Sequence, residues 1–251
     1  MKNVITVIVA FSVLLSGCSG GGGGGGSSSA PATPSAAQGL WNGITNTNRT
    51  VVGLVLSDGL FYVLYSKVGN PAIIAGVVQG NGSTNGGSFS SSNAKDFNLE
   101  GAGILNASVS ASFATKQTLN GTVTPTAGGS STFTSTYNSN YELTPSVSIL
   151  AGTFTGQVAF SLGVENAIVT VANNGSLSGS GAGGCNITGS VTPRSDGNAF
   201  NTSVTFGGAP CYFANQTYTG ISYFDAPTKR LYTAAPNSAR SDSVIFVGTK
   251  P

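Results

Sequence analysis

Between Leu105 and Phe113 the chain alternates: Leu105, Ala107, Val109, Ala111 and Phe113 fall on one parity, and Asn106, Ser108, Ser110 and Ser112 on the other. A period of two puts one face on a core and the other in water, which predicts a β-strand. Ile187, Gly189 and Val191 repeat the pattern against Asn186, Thr188, Ser190 and Thr192, and Phe200, Val204 and Phe206 repeat it against Asn201, Ser203 and Thr205. Asp58-Gly59 separates the apolar runs 51–56 and 60–65, and Asn174-Gly175 and Asp196-Gly197 mark two further breaks. Two-residue links of this composition predict tight hairpins. From Gly39 onward no stretch longer than a turn has helical spacing. The run 60–65, Leu-Phe-Tyr-Val-Leu-Tyr, is apolar on both parities. It predicts a strand buried on both faces; as a functional alternative, Phe61, Tyr62 and Tyr65 line a ligand cavity or a partner-facing patch. Tyr212, Phe213, Tyr218 and Tyr223 are their counterparts in the second half.

The first residues follow a different pattern. Lys2 precedes an apolar run, 4–15, that ends in Leu15-Ser16-Gly17-Cys18. Twelve helical residues span only ~18 Å, short of a ~30 Å hydrocarbon core, so the run predicts an export signal rather than a membrane span. Leu15-Ser16-Gly17-Cys18 resembles the lipobox of bacterial lipoproteins. The resemblance implies cleavage before Cys18, lipidation of its thiol and, with Ser19 following, residence at the outer membrane. Seven glycines (20–26), three serines and Ala-Pro-Ala-Thr-Pro come next. That composition predicts a flexible tether over 18–38. Such a glycine-rich start also resembles surface-displayed lipoproteins of the transferrin-binding and factor-H-binding types. With Cys18 taken by lipid, Cys185 and Cys211 can pair only with each other, and export supplies an oxidising compartment.

Two openings share a spelling: Gly39-Leu-Trp41-Asn-Gly43 and Gly152-Thr-Phe154-Thr-Gly156. Downstream, Gln117-Thr-Leu-Asn-Gly121 is echoed by Gln216-Thr-Tyr-Thr-Gly220. An internal repeat accounts for both. The expected organisation is all-β: a signal peptide at 1–17, a tether at 18–38, and two small antiparallel barrel or sandwich domains at 39–146 and 151–251. A membrane-spanning barrel is disfavoured, because it needs an apolar outer face and aromatic girdles. The openings resemble the first strand of calycins, the lipocalin and avidin-like barrels. By that resemblance Trp41 and Phe154 plug the closed barrel ends. The segments 185–194 and 204–211 resemble a class of proteobacterial lipoproteins to which no activity is attached.

Composition narrows the chemistry. The chain has no histidine, which removes Ser-His-Asp and Cys-His arrangements and the commonest zinc ligand. Ten Lys and Arg stand against eight Asp and Glu, and Lys229-Arg230 is the nearest approach to a basic patch, so nucleic acid is not an expected partner. Asp96, Asn98 and Glu100 would share one strand face, with the carboxylates roughly 13 Å apart. A glycosidase pair needs about 5 to 9.5 Å, so a solvated stripe is expected. Residues 179–184 match G-x-G-x-x-G but lack a following helix, and residues 92–95 match S-x-x-K without its partner motifs. No cofactor or metal is expected. The reading is a lipid-anchored, non-catalytic outer-membrane protein that binds an envelope or host protein or a small apolar ligand. The alternative is a structural or assembly accessory of an outer-membrane complex, and an enzyme of unknown type stands third.

Overall fold

A computed structural model of the chain describes residues 35–251; Cys18, the export signal and most of the tether lie outside the described residues. From Gly39 onward the alternation becomes two rings of antiparallel strands. The first ring contains β1 (Gly39–Thr45), β2 (Thr50–Val55), β3 (Leu60–Lys67), β4 (Asn70–Asn81), β6 (Ser88–Asn98), β7 (Gly103–Ala114), β8 (Thr118–Pro125) and β9 (Ser131–Asn138). It closes because β1 pairs with β9 and β4 pairs with β6, while the short β5 (Ser83–Asn85) hairpins onto the outer end of β6. The second ring is an uninterrupted meander. Its strands are β10 (Gly152–Phe160), β11 (Gly163–Val171), β12 (Ser176–Gly181), β13 (Asn186–Pro193), β14 (Phe200–Phe206), β15 (Thr217–Asp225), β16 (Arg230–Pro236) and β17 (Ser243–Thr249). It closes through β10 and β17. Between the rings lie single turns only, a 3-10 turn at Ser139–Glu142 and α1 at Val147–Leu150.

The repeated openings have a steric cause. Gly43 faces Ser135 across the β1–β9 seam, and Gly156 faces Gly248 across the β10–β17 seam. A Cβ on Gly43 would run into the Thr134 carbonyl, and one on Gly156 into the Val247 carbonyl. Only glycine lets the first strand approach the last closely enough to close each ring. Two residues earlier, Trp41 and Phe154 point inward and are buried. The Trp41 indole Nε1 donates to the Ala37 carbonyl at 3.1 Å, and its ring meets Tyr137 edge-on. Phe154 meets Phe224 edge-on and packs with Leu150 of α1. The downstream echo does not mark equivalent places: Gly121 lies on the seventh strand of its ring and Gly220 on the sixth of the other.

The turn signals fall at strand junctions, but with a different geometry from the predicted two-residue links. Gly59 N–H donates to the Leu56 carbonyl and Leu56 N–H to the Leu60 carbonyl, with Gly59 at φ 83°. Gly175, also at φ 83°, makes the same pattern with Ala172 and Ser176. These are three-residue loops that end in a left-handed glycine, the other common hairpin solution. Asp196-Gly197 sits inside a longer connection, closed by Arg194 N–H donating to the Ala199 carbonyl.

The two rings share a core on their outer faces. Leu40, Leu54, Leu56, Tyr62, Leu64, Val77 and Phe97 point out of the first barrel. They pack against Ala159, Ala199, Ile221, Tyr223, Ala234 and Ile245, which point out of the second. This is why run 60–65 carries no alternation: one parity fills a barrel and the other fills the contact between barrels. Polar bonds frame the contact. Ser57 Oγ donates to Asp196 Oδ2 at 2.6 Å, Arg240 Nη2 donates to the Gln79 carbonyl at 2.7 Å, and Arg230 Nη2 donates to the Ala72 carbonyl at 2.9 Å. Away from this contact, Asn106, Ser108, Ser110 and Ser112 of β7 face solvent, as their parity predicts.

Candidate functional site

Each barrel encloses a cavity. The one in the second barrel has a volume of about 310 Å³ and the one in the first about 180 Å³. A ~150 Å³ apolar cavity is enough to hold benzene, and ligand pockets begin near 300 Å³. Both cavities arise from the same device. Inward positions are filled largely by Val and Phe rather than by longer side chains, and a glycine, Gly53 in the first barrel and Gly181 in the second, lies in each lining.

In the first barrel Trp41 forms part of the lining, with Val51, Phe61, Val78, Phe89 and Leu119. Its polar residues gather round Tyr65. The Tyr65 hydroxyl donates to Asp96 Oδ1 at 2.7 Å and accepts from Asn98 Nδ2 at 3.1 Å. Arg49 lies over the Tyr65 ring, 5.5 Å from its centroid, and pairs with Glu100 at 2.6 Å. Burial holds the Asp96 carboxyl above the usual carboxylate range, against the Tyr65 hydrogen bond and the Arg49 charge that favour its ionised form. Burial and the neighbouring Asp96 raise the Tyr65 hydroxyl well above an ordinary phenol. The expected solvated stripe is therefore not what forms. Asp96 and Asn98 line the cavity, and Glu100 lies beyond the end of β6.

In the second barrel the wall is Val158, Val169, Leu177, Val191, Val204 and Phe246. At one end the Cys185–Cys211 disulfide ties the start of β13 to the β14–β15 loop, with Cα atoms 4.5 Å apart. That loop carries Phe213 against Phe206 and leaves Tyr212 67% exposed. On the wall, Ser222 and Thr233 interrupt the apolar surface. Glu165 at this end is the sole charged side chain of the lining among the described residues, and its Oε2 accepts from Gly183 N–H at 2.8 Å.

The structure splits the candidate aromatic set. Phe61 and Tyr65 line the first cavity, whereas Tyr62 points outward into the contact between barrels, where burial pushes its hydroxyl up to about 12. Adjacent residues of a strand face opposite ways, so Phe61 and Tyr62 could not serve one cavity. In the second half Tyr212 and Phe213 line a cavity, Tyr218 is buried against Phe206 and Phe213, and Tyr223 faces the first barrel. Cys18 lies outside the described residues. Among those residues, no group of three metal-ligating side chains comes together. The reading by parity missed Arg49, which comes from the β1–β2 turn, and the inward hydroxyls Thr202, Ser222 and Thr233. Thr202 was readable as the polar gap on the apolar parity of Phe200, Val204 and Phe206.

No family model and no curated protein matches the chain. A candidate outer-membrane protein from Bacteroides fragilis is 15% identical, over 87% of this chain and 100% of that one, at a TM-score of 0.29. The Myxococcus xanthus hemagglutinin, solved with a3,a6-mannopentaose, is 15% identical over 84% of this chain and 92% of that one, at a TM-score of 0.17. Likenesses this distant carry no inference about what this chain binds.

Proposed function

We propose that the chain is a non-catalytic binding protein that holds small apolar ligands inside its barrels, anchored to the outer membrane through lipid on Cys18. The observation that carries the binding reading is the cavity of about 310 Å³ in the second barrel, with a mainly apolar wall. Apolar surface gains about 25 cal/mol per Å² when it leaves water, and a mainly apolar space is a ready acceptor for it. The non-catalytic reading is supported by the absence of histidine from the sequence and by the structural partners of four of the eight carboxylates. Asp96 accepts from Tyr65, Glu100 pairs with Arg49, Asp196 binds Arg194 and Ser57, and Asp242 accepts from Ser161.

The test of binding is titration of the protein with N-phenyl-1-naphthylamine, a neutral apolar dye that brightens out of water. The proposal expects saturable brightening that a second apolar compound reverses. Brightening that never saturates, or none, would refute it. The anchor is tested separately: wild type should fractionate with the outer membrane and Cys18→Ala should be released, and equal fractionation would count against lipidation at Cys18.

A further inference from the structure

We infer that the ligand of the second barrel is a neutral, unbranched amphiphile whose single hydroxyl is seated at the Ser222–Thr233 end of the cavity. The inference rests on the binding reading above and adds the chemistry of the ligand. Thr202, Ser222 and Thr233, on β14, β15 and β16, are inward and buried, at 3%, 1% and 5% exposure. Their hydroxyls form one chain, Thr202 to Ser222 at 2.7 Å and Ser222 to Thr233 at 2.7 Å. Thr202 Oγ1 also lies 3.4 Å from the Phe200 carbonyl.

Counting protons shows what the chain lacks. If Thr202 donates to the Phe200 carbonyl, Ser222 donates to Thr202 and Thr233 to Ser222. The Thr233 oxygen is then a free acceptor on the cavity wall. If the chain runs the other way, Thr233 has a free proton to donate. In either sense Thr233, which lines the cavity, keeps hydrogen-bonding capacity that no other described residue uses. A ligand hydroxyl, which donates and accepts, matches both polarities.

Charge narrows the class further. Among the described residues no Lys or Arg lines this cavity, and Glu165 sits at its other end. A carboxylate or phosphate would lose its hydration with no cation to replace it, and would pass a negative group on the way in. The rim itself is apolar: Leu162, Val164 and Tyr212 are 54%, 53% and 67% exposed. From Glu165 to Val169, both inward and in the lining, β11 advances roughly 13 Å along the strand, or about 10 Å of barrel depth at the usual tilt. That depth suits an extended chain with its hydroxyl at the inner end.

The experiment is a methyl-NMR titration of the whole chain with benzene, 1-octanol and octanoate at pH 7. Val169, Leu177, Val191 and Val204 report on this cavity. The expected result is that all four shift with benzene and 1-octanol, and that octanoate binds at least tenfold more weakly than 1-octanol. Thr233→Val should weaken 1-octanol about threefold to tenfold, the size of one neutral hydrogen bond, and leave benzene unchanged. Thr233→Ser, which keeps the hydroxyl, should bind 1-octanol as wild type does, and it guards against a packing defect in the valine variant. Benzene binding with equal affinities for 1-octanol and octanoate, or with no loss in Thr233→Val, would overturn this inference and leave the binding reading standing. No shift with any of the three would overturn both.

Discussion

Ile245 and Ile168 both point outward from the second barrel, yet their surroundings differ: Ile245 is 1% exposed and Ile168 is 49% exposed. The difference is the first barrel, whose Leu54, Tyr62, Leu64 and Val77 belong to the cluster that covers Ile245. Truncating a buried isoleucine to alanine removes its transfer free energy and leaves a cavity, at about 2–5 kcal/mol. At a half-exposed strand position the same change loses strand preference and partial burial, at about 1 kcal/mol or less. For a folded unit of 150–250 residues, 1 kcal/mol corresponds to roughly 2–4 °C in Tm. Ile245→Ala should therefore lower Tm by about 4–20 °C in differential scanning calorimetry, and Ile168→Ala by less than about 4 °C. Both should melt in one transition, because the shared outer core couples the rings. Equal shifts in the two variants, or two resolved transitions with Ile245→Ala, would refute the shared core.

Three further outcomes follow from the same geometry. Reducing Cys185–Cys211 opens a loop of 26 residues' separation, and the chain-entropy model expects a loss of roughly 3–4 kcal/mol, read as a lower urea midpoint with dithiothreitol. Asp96 and Asp196 should titrate with opposite effects on stability. Burial raises Asp96, so its favourable contribution is present at acid pH and lost as pH rises through its folded pKa; Asp96→Asn should stabilise at pH 7 and not at pH 3. The Arg194 hydrogen bonds and Ser57 hold Asp196 far below the usual carboxylate range, so its contribution is present above the unfolded value and lost as pH falls; Asp196→Asn should destabilise at pH 7 and progressively less toward pH 2, in melts across that range. Gly156→Ala should open the β10–β17 seam, read as loss of amide protection at Gln157 and Val247, whereas Gly163→Ala at the β10–β11 turn should leave that seam protected.

The architecture was readable wherever a strand has one wet face. Alternation located β7, β13 and β14, and the opening glycines pointed to two rings. At run 60–65 the expected strand, buried on both faces, is what forms, but the separation of Tyr62 from Phe61 was not readable, for a physical reason. Period two separates the faces of a strand, but it does not say that the outward face of β3 meets another barrel, so an outward tyrosine looked equivalent to Phe61. The turn dipeptides located the breaks, but their geometry depends on which residue takes the left-handed conformation. In both short hairpins that is the glycine alone, so the loop has three residues. Asp96 was readable as a carboxylate on a strand, and its burial was not, because its partners come from β3 and from the β1–β2 turn. The hydroxyl chain left the clearest trace, a threonine at position 202 on an otherwise apolar parity.

Xenon pressurisation of crystals of the protein tests the central claim, an apolar ligand site inside the second barrel, most directly. Xenon occupies dry apolar cavities and leaves hydrated ones alone. The account predicts density for xenon against Val169, Leu177, Val191 and Val204, near the Ser222 and Thr233 hydroxyls. A barrel interior filled instead by ordered waters, or by side chains that have closed the space, would contradict it.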